Sequence, residues 1–70
     1  MNLAEKLISL RKKQGLTQLE LAEKLDVSRQ AVSRWEAGDA MPGIDNLKLL
    51  SELYEVSIDF LLNDNLTECS

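Results

Sequence analysis

Repeated helix-start signals at short intervals constrain this chain more than any other feature of its sequence. Thr17 is followed three residues later by Glu20, the capping-box pattern in which each side chain bonds the backbone N–H of the other residue. Similar start signals occur at Ser28, at Ser57 and, more weakly, at Asn2. A chain of 70 residues that restarts so often has room only for short helices.

Five segments between these signals have apolar residues spaced by three and four, which is typical of helices, and none shows the alternation of a strand. The fold class predicted is all-α, a compact domain over residues 1–62 with a tail at 63–70. Gly15 and Gly38 fall just past helix ends, where a left-handed residue is favoured. The helices are predicted at 3–14, 18–25, 29–37, 44–54 and 58–62.

The predicted core is aliphatic, because 44% of the residues are hydrophobic and only three are aromatic. Its members recur on the apolar stripe of each segment. They are Leu3, Leu7, Leu10, Leu21, Ala22, Leu25, Val32, Trp35, Leu47, Leu50, Leu53 and Phe60.

Composition excludes most chemistry. The chain has no histidine and one cysteine, so a Cys/His metal cage is excluded and most acid–base or nucleophilic machinery is missing. We therefore expect no enzyme, no metal and no cofactor. No run of 18 apolar residues is present, and Glu5 and Lys6 interrupt the apolar part of the N-terminus. A soluble, cytoplasmic protein with no membrane partner is expected.

The charge is unevenly distributed along the chain. The net charge of −4 argues against a nucleic-acid partner, since Lys and Arg drive binding to phosphate. Residues 1–34, however, hold seven basic and four acidic residues, a net +3, whereas residues 35–70 hold one basic and eight acidic residues, a net −7. We expect two faces with different functions.

The second and third predicted helices are joined by only Asp26-Val27-Ser28, which predicts a helix-turn-helix. Along 29–37, the residues Ser28, Ala31, Val32 and Trp35 share one arc of about 100°. The opposite arc holds Arg29, Gln30, Ser33, Arg34 and Ala37, with no acidic side chain.

These polar side chains suit base reading in a DNA major groove. Arg can donate twice to guanine, Gln can pair with adenine, and a small Ser allows close approach. We predict base contacts by Arg29, Gln30 and Arg34, and a backbone contact by Ser33. A merely solvated helix face is the alternative, and the tight turn and the absence of Asp and Glu from the arc argue against it.

Residues 3–62 resemble the five-helix DNA-binding domain of the phage Cro and repressor proteins and of XRE-type bacterial regulators. The resemblance rests on TQLELAEKLDVSRQAVSRWEAG, on Pro42 and on IDNLKLLSELYEVSIDFLL. It implies that Gln18 bonds a DNA phosphate and that Arg11 pairs with Glu36 to brace two helices. Further phosphate or backbone contacts are expected from Ser28, Lys12, Lys13 and the Gly43 backbone.

Three departures from the family pattern have expected consequences. Asp26 stands where relatives usually carry a left-handed Gly, and Asp tolerates that conformation better than most residues. Leu19 replaces a usually polar residue and is expected to be an exposed apolar spot. Asp39 lies in a loop that is often basic, so phosphate binding there should be weaker.

Two functions remain open at this point. One is a sequence-specific transcriptional regulator, of repressor type, that binds a double-stranded DNA operator as a homodimer and acts with a possible protein co-regulator. The other is a protein-interaction module, like an antitoxin or anti-repressor, that keeps the fold but uses another surface. The second would use Leu19 or the edge formed by Leu61, Leu62 and Leu66, residues that are also candidate dimer contacts.

Overall fold

The computed structural model describes residues 2–63 and places five helices and no strand in that part of the chain. The all-α prediction is confirmed. α1 ends one residue earlier than predicted, because Gln14 already serves as its C-cap. Most of the predicted tail, residues 64–70, lies outside the described residues. The helices are α1 (Leu3–Lys13), α2 (Gln18–Leu25), α3 (Arg29–Ala37), α4 (Ile44–Tyr54) and α5 (Ile58–Leu62).

Side-chain caps fix where the helices begin. Thr17 Oγ1 accepts the Glu20 N–H at 3.0 Å while Glu20 Oε1 accepts the Thr17 N–H at 2.9 Å, the reciprocal bonding expected of a capping box. The same arrangement joins Asn2 to Glu5 at the start of α1. Ser28 and Ser57 cap α3 and α5 through their hydroxyl oxygens. Local sequence therefore sets four of the five helix starts.

Left-handed residues end three of the helices, and a fourth such residue closely follows the end of α1. Gly15 and Gly38 have φ values of +71° and +81°, as their positions in the sequence predict. Asp26 adopts φ +57° in the α2–α3 turn without glycine, as expected. Glu55 adopts φ +56° after α4, a conformation that no local sequence signal predicts. Residues other than glycine are strained there because Cβ approaches the following carbonyl oxygen.

The core contains nine of the twelve predicted residues. Leu3, Leu53 and Phe60 are only half-buried and pack against its edge, so the prediction that they belong to the buried core was wrong. Tyr54 and Leu61 are buried instead, because α5 packs against α1 and α4 and turns the first of its two leucines inward. The buried apolar side chains are Leu7, Leu10, Leu21, Ala22, Leu25, Val32, Trp35, Leu47, Leu50, Tyr54 and Leu61.

A buried lysine joins the first helix to the last. The Lys6 side chain is 1% exposed, and its ammonium donates to the carbonyl oxygens of Phe60 and Asn63, the latter at 2.7 Å. The Nζ atom also lies 4.7 Å from the centroid of the Phe60 ring. Carbonyls at the end of a helix lack intrahelical donors, so Lys6 caps α5 from across the fold. Lys6 thus belongs to the interior, although it is one of the seven basic residues counted in the positive half of the sequence.

Candidate nucleic-acid interface

The turn between α2 and α3 is tightly bonded. The Val27 N–H donates to the Ala22 carbonyl at 3.0 Å, and the left-handed Asp26 reverses the chain between the helices. Val27 packs against the core beside the turn. Val32 and Trp35, on the inner side of α3, are buried, with 0% and 6% exposure. The helix is therefore held on its inner side and presents its polar side outward.

The predicted base-contacting residues lie together on that outer side. Arg29, Gln30 and Arg34 are exposed, and within residues 2–63 their side chains make no hydrogen bond. Ser33 is half-buried between them, which leaves room for close approach to the helix backbone. Six residues line one open depression here: Ser28, Arg29, Gln30, Ala31, Ser33 and Arg34.

The start of α2 offers further N–H donors. Thr17 caps the Glu20 N–H, but the N–H groups of Gln18 and Leu19 in the first turn have no intrahelical acceptor. These groups and the positive end of the helix dipole favour an anion. Gln18 is half-buried beside them, and its carboxamide Nε2 donates to Glu36 Oε1 at 3.0 Å.

Arg11 and Glu36 form an ion pair with two hydrogen bonds behind this helix start. Arg11 Nε lies 2.7 Å from Glu36 Oε2, and Nη2 lies 3.1 Å from Oε1. The side chains are only 14% and 5% exposed. The hydrogen bond that Arg11 donates to Glu36 raises the pKa of Arg11, although burial acts in the opposite direction. Arg11 Nη1 also donates to the Leu16 carbonyl at 2.9 Å, so the pair joins α1 and α3 to the loop before α2.

The remaining candidates for phosphate contacts lie at the start of α3 or near the ends of other helices. Lys12 and Lys13 are exposed at the end of α1, and Gly43 is the exposed N-cap of α4 without a side-chain cap. Ser28 is exposed, but its Oγ already accepts the Ala31 N–H at 3.1 Å. Asp39 is exposed in the loop after α3, where its charge opposes a phosphate.

Burial weakens the positive face that the sequence predicts. Lys6 lies inside the protein and Arg11 is paired with Glu36, so neither adds free positive charge. The exposed charges of residues 2–34 are five basic and four acidic, a net +1 rather than the +3 of the sequence count. Total charge therefore gives little support for binding to phosphate, and the positions of the basic side chains are what would favour it.

The apolar surface changes the prediction for the C-terminal edge. Leu61 is fully buried, so it was wrongly assigned to a dimer or partner surface, because it packs inside the core. Leu62 is 45% exposed. Leu19 is 53% exposed, which agrees with its prediction as an exposed apolar residue. Leu66 lies outside the described residues.

A short turn between two packed helices, with the second presenting exposed polar side chains outward, is the arrangement of a helix-turn-helix domain. The chain belongs to the helix-turn-helix family, whose profile matches residues 7–61. In addition, no helix within residues 2–63 has the length and apolar character that crossing a membrane requires.

Several curated relatives are similar over most of this chain. The HTH-type transcriptional activator BcrR of Enterococcus faecalis is 48% identical over 63 residues, which are 90% of this chain and 31% of the relative. The HTH-type transcriptional regulator ImmR of Bacillus subtilis is 44% identical over 62 residues, 89% of this chain and 49% of the relative. The chain thus spans less than half the length of either relative.

A solved structure has the same fold with DNA bound. The P22 c2 repressor protein in complex with synthetic operator 9T matches with a TM-score of 0.86 and 32% sequence identity. The match covers 93% of this chain and 98% of the repressor chain.

Proposed function

We propose that this chain is the DNA-binding domain of a transcriptional regulator, and that the outer face of α3 reads base edges in the major groove. The observation that carries the proposal is the exposed set Arg29, Gln30 and Arg34, which makes no hydrogen bond within residues 2–63. A rigid helix with unengaged donors, and with no carboxylate among them, is arranged to bond something outside the protein.

Each residue has a proposed contact. Arg29 donates twice to a guanine and Gln30 pairs with an adenine, because both lie in the first turn of α3, while Arg34 contacts a base or a flanking phosphate. Ser28 and Ser33 contact the DNA backbone. Phosphate contacts are proposed for Gln18, Lys12, Lys13 and the Gly43 N–H.

The regulator acts by occupying an operator, not by catalysis, in the cytoplasm where bacterial DNA lies. One recognition helix covers few base pairs, so we propose a homodimer that binds two half-sites about 34 Å apart. Occupancy blocks or modulates transcription. The similar proteins support both activation and repression of transcription, since BcrR is named an activator and the P22 protein a repressor.

Selection of bound sites from random duplex DNA at a stated salt concentration tests the proposal. We expect enrichment of a two-fold symmetric sequence with half-sites about 10 base pairs apart, bound at least about 1000-fold more tightly than a scrambled duplex. No enrichment even at low salt would refute DNA reading. A single half-site would refute the dimer alone.

The second candidate function is a protein-interaction module, favoured by the exposure of Leu19. One solved neighbour, the SinR protein/SinI protein complex, matches with a TM-score of 0.80 at 28% identity. Replacing Leu19 by Ser separates the two functions. Under the DNA proposal, the variant still selects the same sites, and only its binding to a protein co-regulator is weakened.

A further inference from the structure

One carboxylate oxygen accepts hydrogen bonds from two different helices. Glu36 Oε1 accepts Arg11 Nη2 at 3.1 Å and Gln18 Nε2 at 3.0 Å. Glu36 itself belongs to α3, two residues beyond the proposed DNA contact Arg34. Its side chain is 5% exposed, so DNA cannot reach it directly. The proposed base-reading helix is thus bonded to the side chain that begins α2.

We propose that Glu36 is a positioning residue for DNA binding, which orients the Gln18 carboxamide toward a phosphate and fixes the start of α2 relative to α3. The inference rests on the proposed function and deepens it. Glu36 itself makes no contact with DNA, and its effect on binding passes through Gln18.

The chemistry of the amide makes this orientation specific. A Gln carboxamide has two N–H donors and one acceptor in a plane. Bonding one N–H to Glu36 fixes that plane and leaves the second N–H for an outside acceptor. The uncapped N–H groups of Gln18 and Leu19 lie in the same helix turn. Side-chain freedom that is already lost on folding does not have to be lost on binding, which favours the complex.

Charge explains why Arg11 is needed in this arrangement. A lone carboxylate close to the start of α2 would repel a phosphate there. The ion pair with Arg11, at 2.7 Å, offsets that charge. Arg11 also holds the Leu16 carbonyl at 2.9 Å, which fixes the chain as it enters the α2 cap. Both side chains of the pair therefore act on the same helix start.

A double-mutant cycle tests the proposal on a duplex selected by the unmodified protein. Gln18→Ala is made in the unmodified protein and in an Arg11→Met/Glu36→Met background. Replacing an ion pair by apolar side chains of similar size commonly preserves folding, and urea unfolding verifies it. Loss of Gln18 should weaken binding about tenfold in the unmodified protein and less than about threefold in the background.

Two further measurements separate positioning from general support. Glu36→Gln keeps an acceptor for Gln18, so in that variant Gln18→Ala should still weaken binding more than about threefold. Without DNA, the side-chain NH2 signals of Gln18 should be resolved and slow to exchange in the unmodified protein, and should lose both properties in the double-methionine background.

The outcomes distinguish this inference from the function on which it rests. If Gln18→Ala weakens binding equally in both backgrounds, or not at all, Glu36 does not position Gln18 and DNA reading stands. If the unmodified protein selects no duplex, the proposed function itself fails.

Discussion

α3 holds charged side chains in two contrasting surroundings. Arg29 and Arg34 are exposed and make no side-chain hydrogen bond within residues 2–63, whereas Glu36 is buried and accepts three hydrogen bonds. Arg29 and Glu36 are seven residues apart, about two helical turns, so they lie on nearly the same stripe of the helix. The exposure of Arg29 and the burial of Glu36 are therefore not explained by their position around the helix axis.

Arg29 and Glu36 differ because different parts of the protein surround the two ends of α3. α1 packs against α3, and Arg11 and the start of α2 enclose Glu36 near its C-terminal end. In the N-terminal turn, by contrast, Arg29 and Gln30 are exposed and their side chains make no hydrogen bond within residues 2–63. α3 is thus braced through Glu36 near its C-terminal end, while Arg29 and Gln30 at its N-terminal end stay exposed. Arg34, two residues before Glu36, lies on another side of the helix and is also exposed. Substitutions at Arg29 or Gln30 should change recognition without changing stability, whereas loss of the Arg11–Glu36 pair should lower stability as well.

The largest expected effect comes from breaking the braced end. Arg11→Ala leaves the Glu36 carboxylate buried without its partner, and should lower the free energy of unfolding by about 3 kcal/mol. Arg34→Ala is the matched control, an exposed arginine whose loss should change stability by less than about 0.5 kcal/mol. Urea unfolding measures both. Equal losses would show that the pair does not brace the fold.

The next largest effect, on DNA sequence discrimination, is expected at the exposed first turn of α3. Arg29→Ala, and separately Gln30→Ala, should reduce discrimination at particular base positions by about 1–3 kcal/mol while stability is unchanged. Lys12→Ala is the control, because loss of a phosphate contact weakens binding to all sequences evenly and reduces the salt slope by about one. Binding constants for single-base variants of a selected duplex measure the difference. Even weakening by Arg29→Ala and Gln30→Ala would remove their base-reading role.

A smaller effect on stability is expected at the two left-handed residues that are not glycine. Asp26 lies in the turn before α3, and Glu55 follows α4. Glu55→Gly after α4 should stabilise the protein by about 1 kcal/mol, because Glu is strained at φ +56°. Asp26→Gly should stabilise it less, by about 0.5 kcal/mol, since Asp tolerates this region. Thermal unfolding compares the two. A destabilising Glu55→Gly would contradict the strain.

The smallest effect at neutral pH is expected at Tyr54, which is buried close to the Arg11–Glu36 pair. Its hydroxyl has no hydrogen-bond partner within residues 2–63, and burial, more than the nearby Glu36, raises its pKa to about 12. The ordinary value is 10.0, so the neutral form stabilises the fold below pH 10 and this contribution is lost as pH rises through about 12.

Tyr54→Phe checks this expectation. At pH 7 the free energy of unfolding should change by less than about 1 kcal/mol, because the hydroxyl that is removed has no partner among the described residues. Between pH 10 and 12 the variant should lose less stability than the unmodified protein. Identical alkaline profiles would show that Tyr54 does not titrate as burial requires.

Local features of this fold could be predicted from the sequence, and long-range ones could not. The Thr17 cap and the polar face of α3 depend on residues a few positions apart, so spacing reveals them. The Lys6 bonds to α5 and the Gln18 bond to Glu36 join residues 18 or more positions apart. No periodicity encodes such contacts. Even the Arg11–Glu36 pair was predicted only through the family resemblance.

The proposal that α3 is the DNA-reading helix is tested most directly by NMR titration of the labelled protein with a selected duplex. We expect the backbone and side-chain signals of Arg29, Gln30 and Arg34, and the backbone N–H of Gln18 and Leu19, to shift strongly. Signals of the exposed acidic residues Glu52, Glu55 and Asp59 on the opposite part of the chain should shift little. The largest shifts on α4 and α5, with α3 unchanged, would contradict the assignment of α3 as the DNA-reading helix.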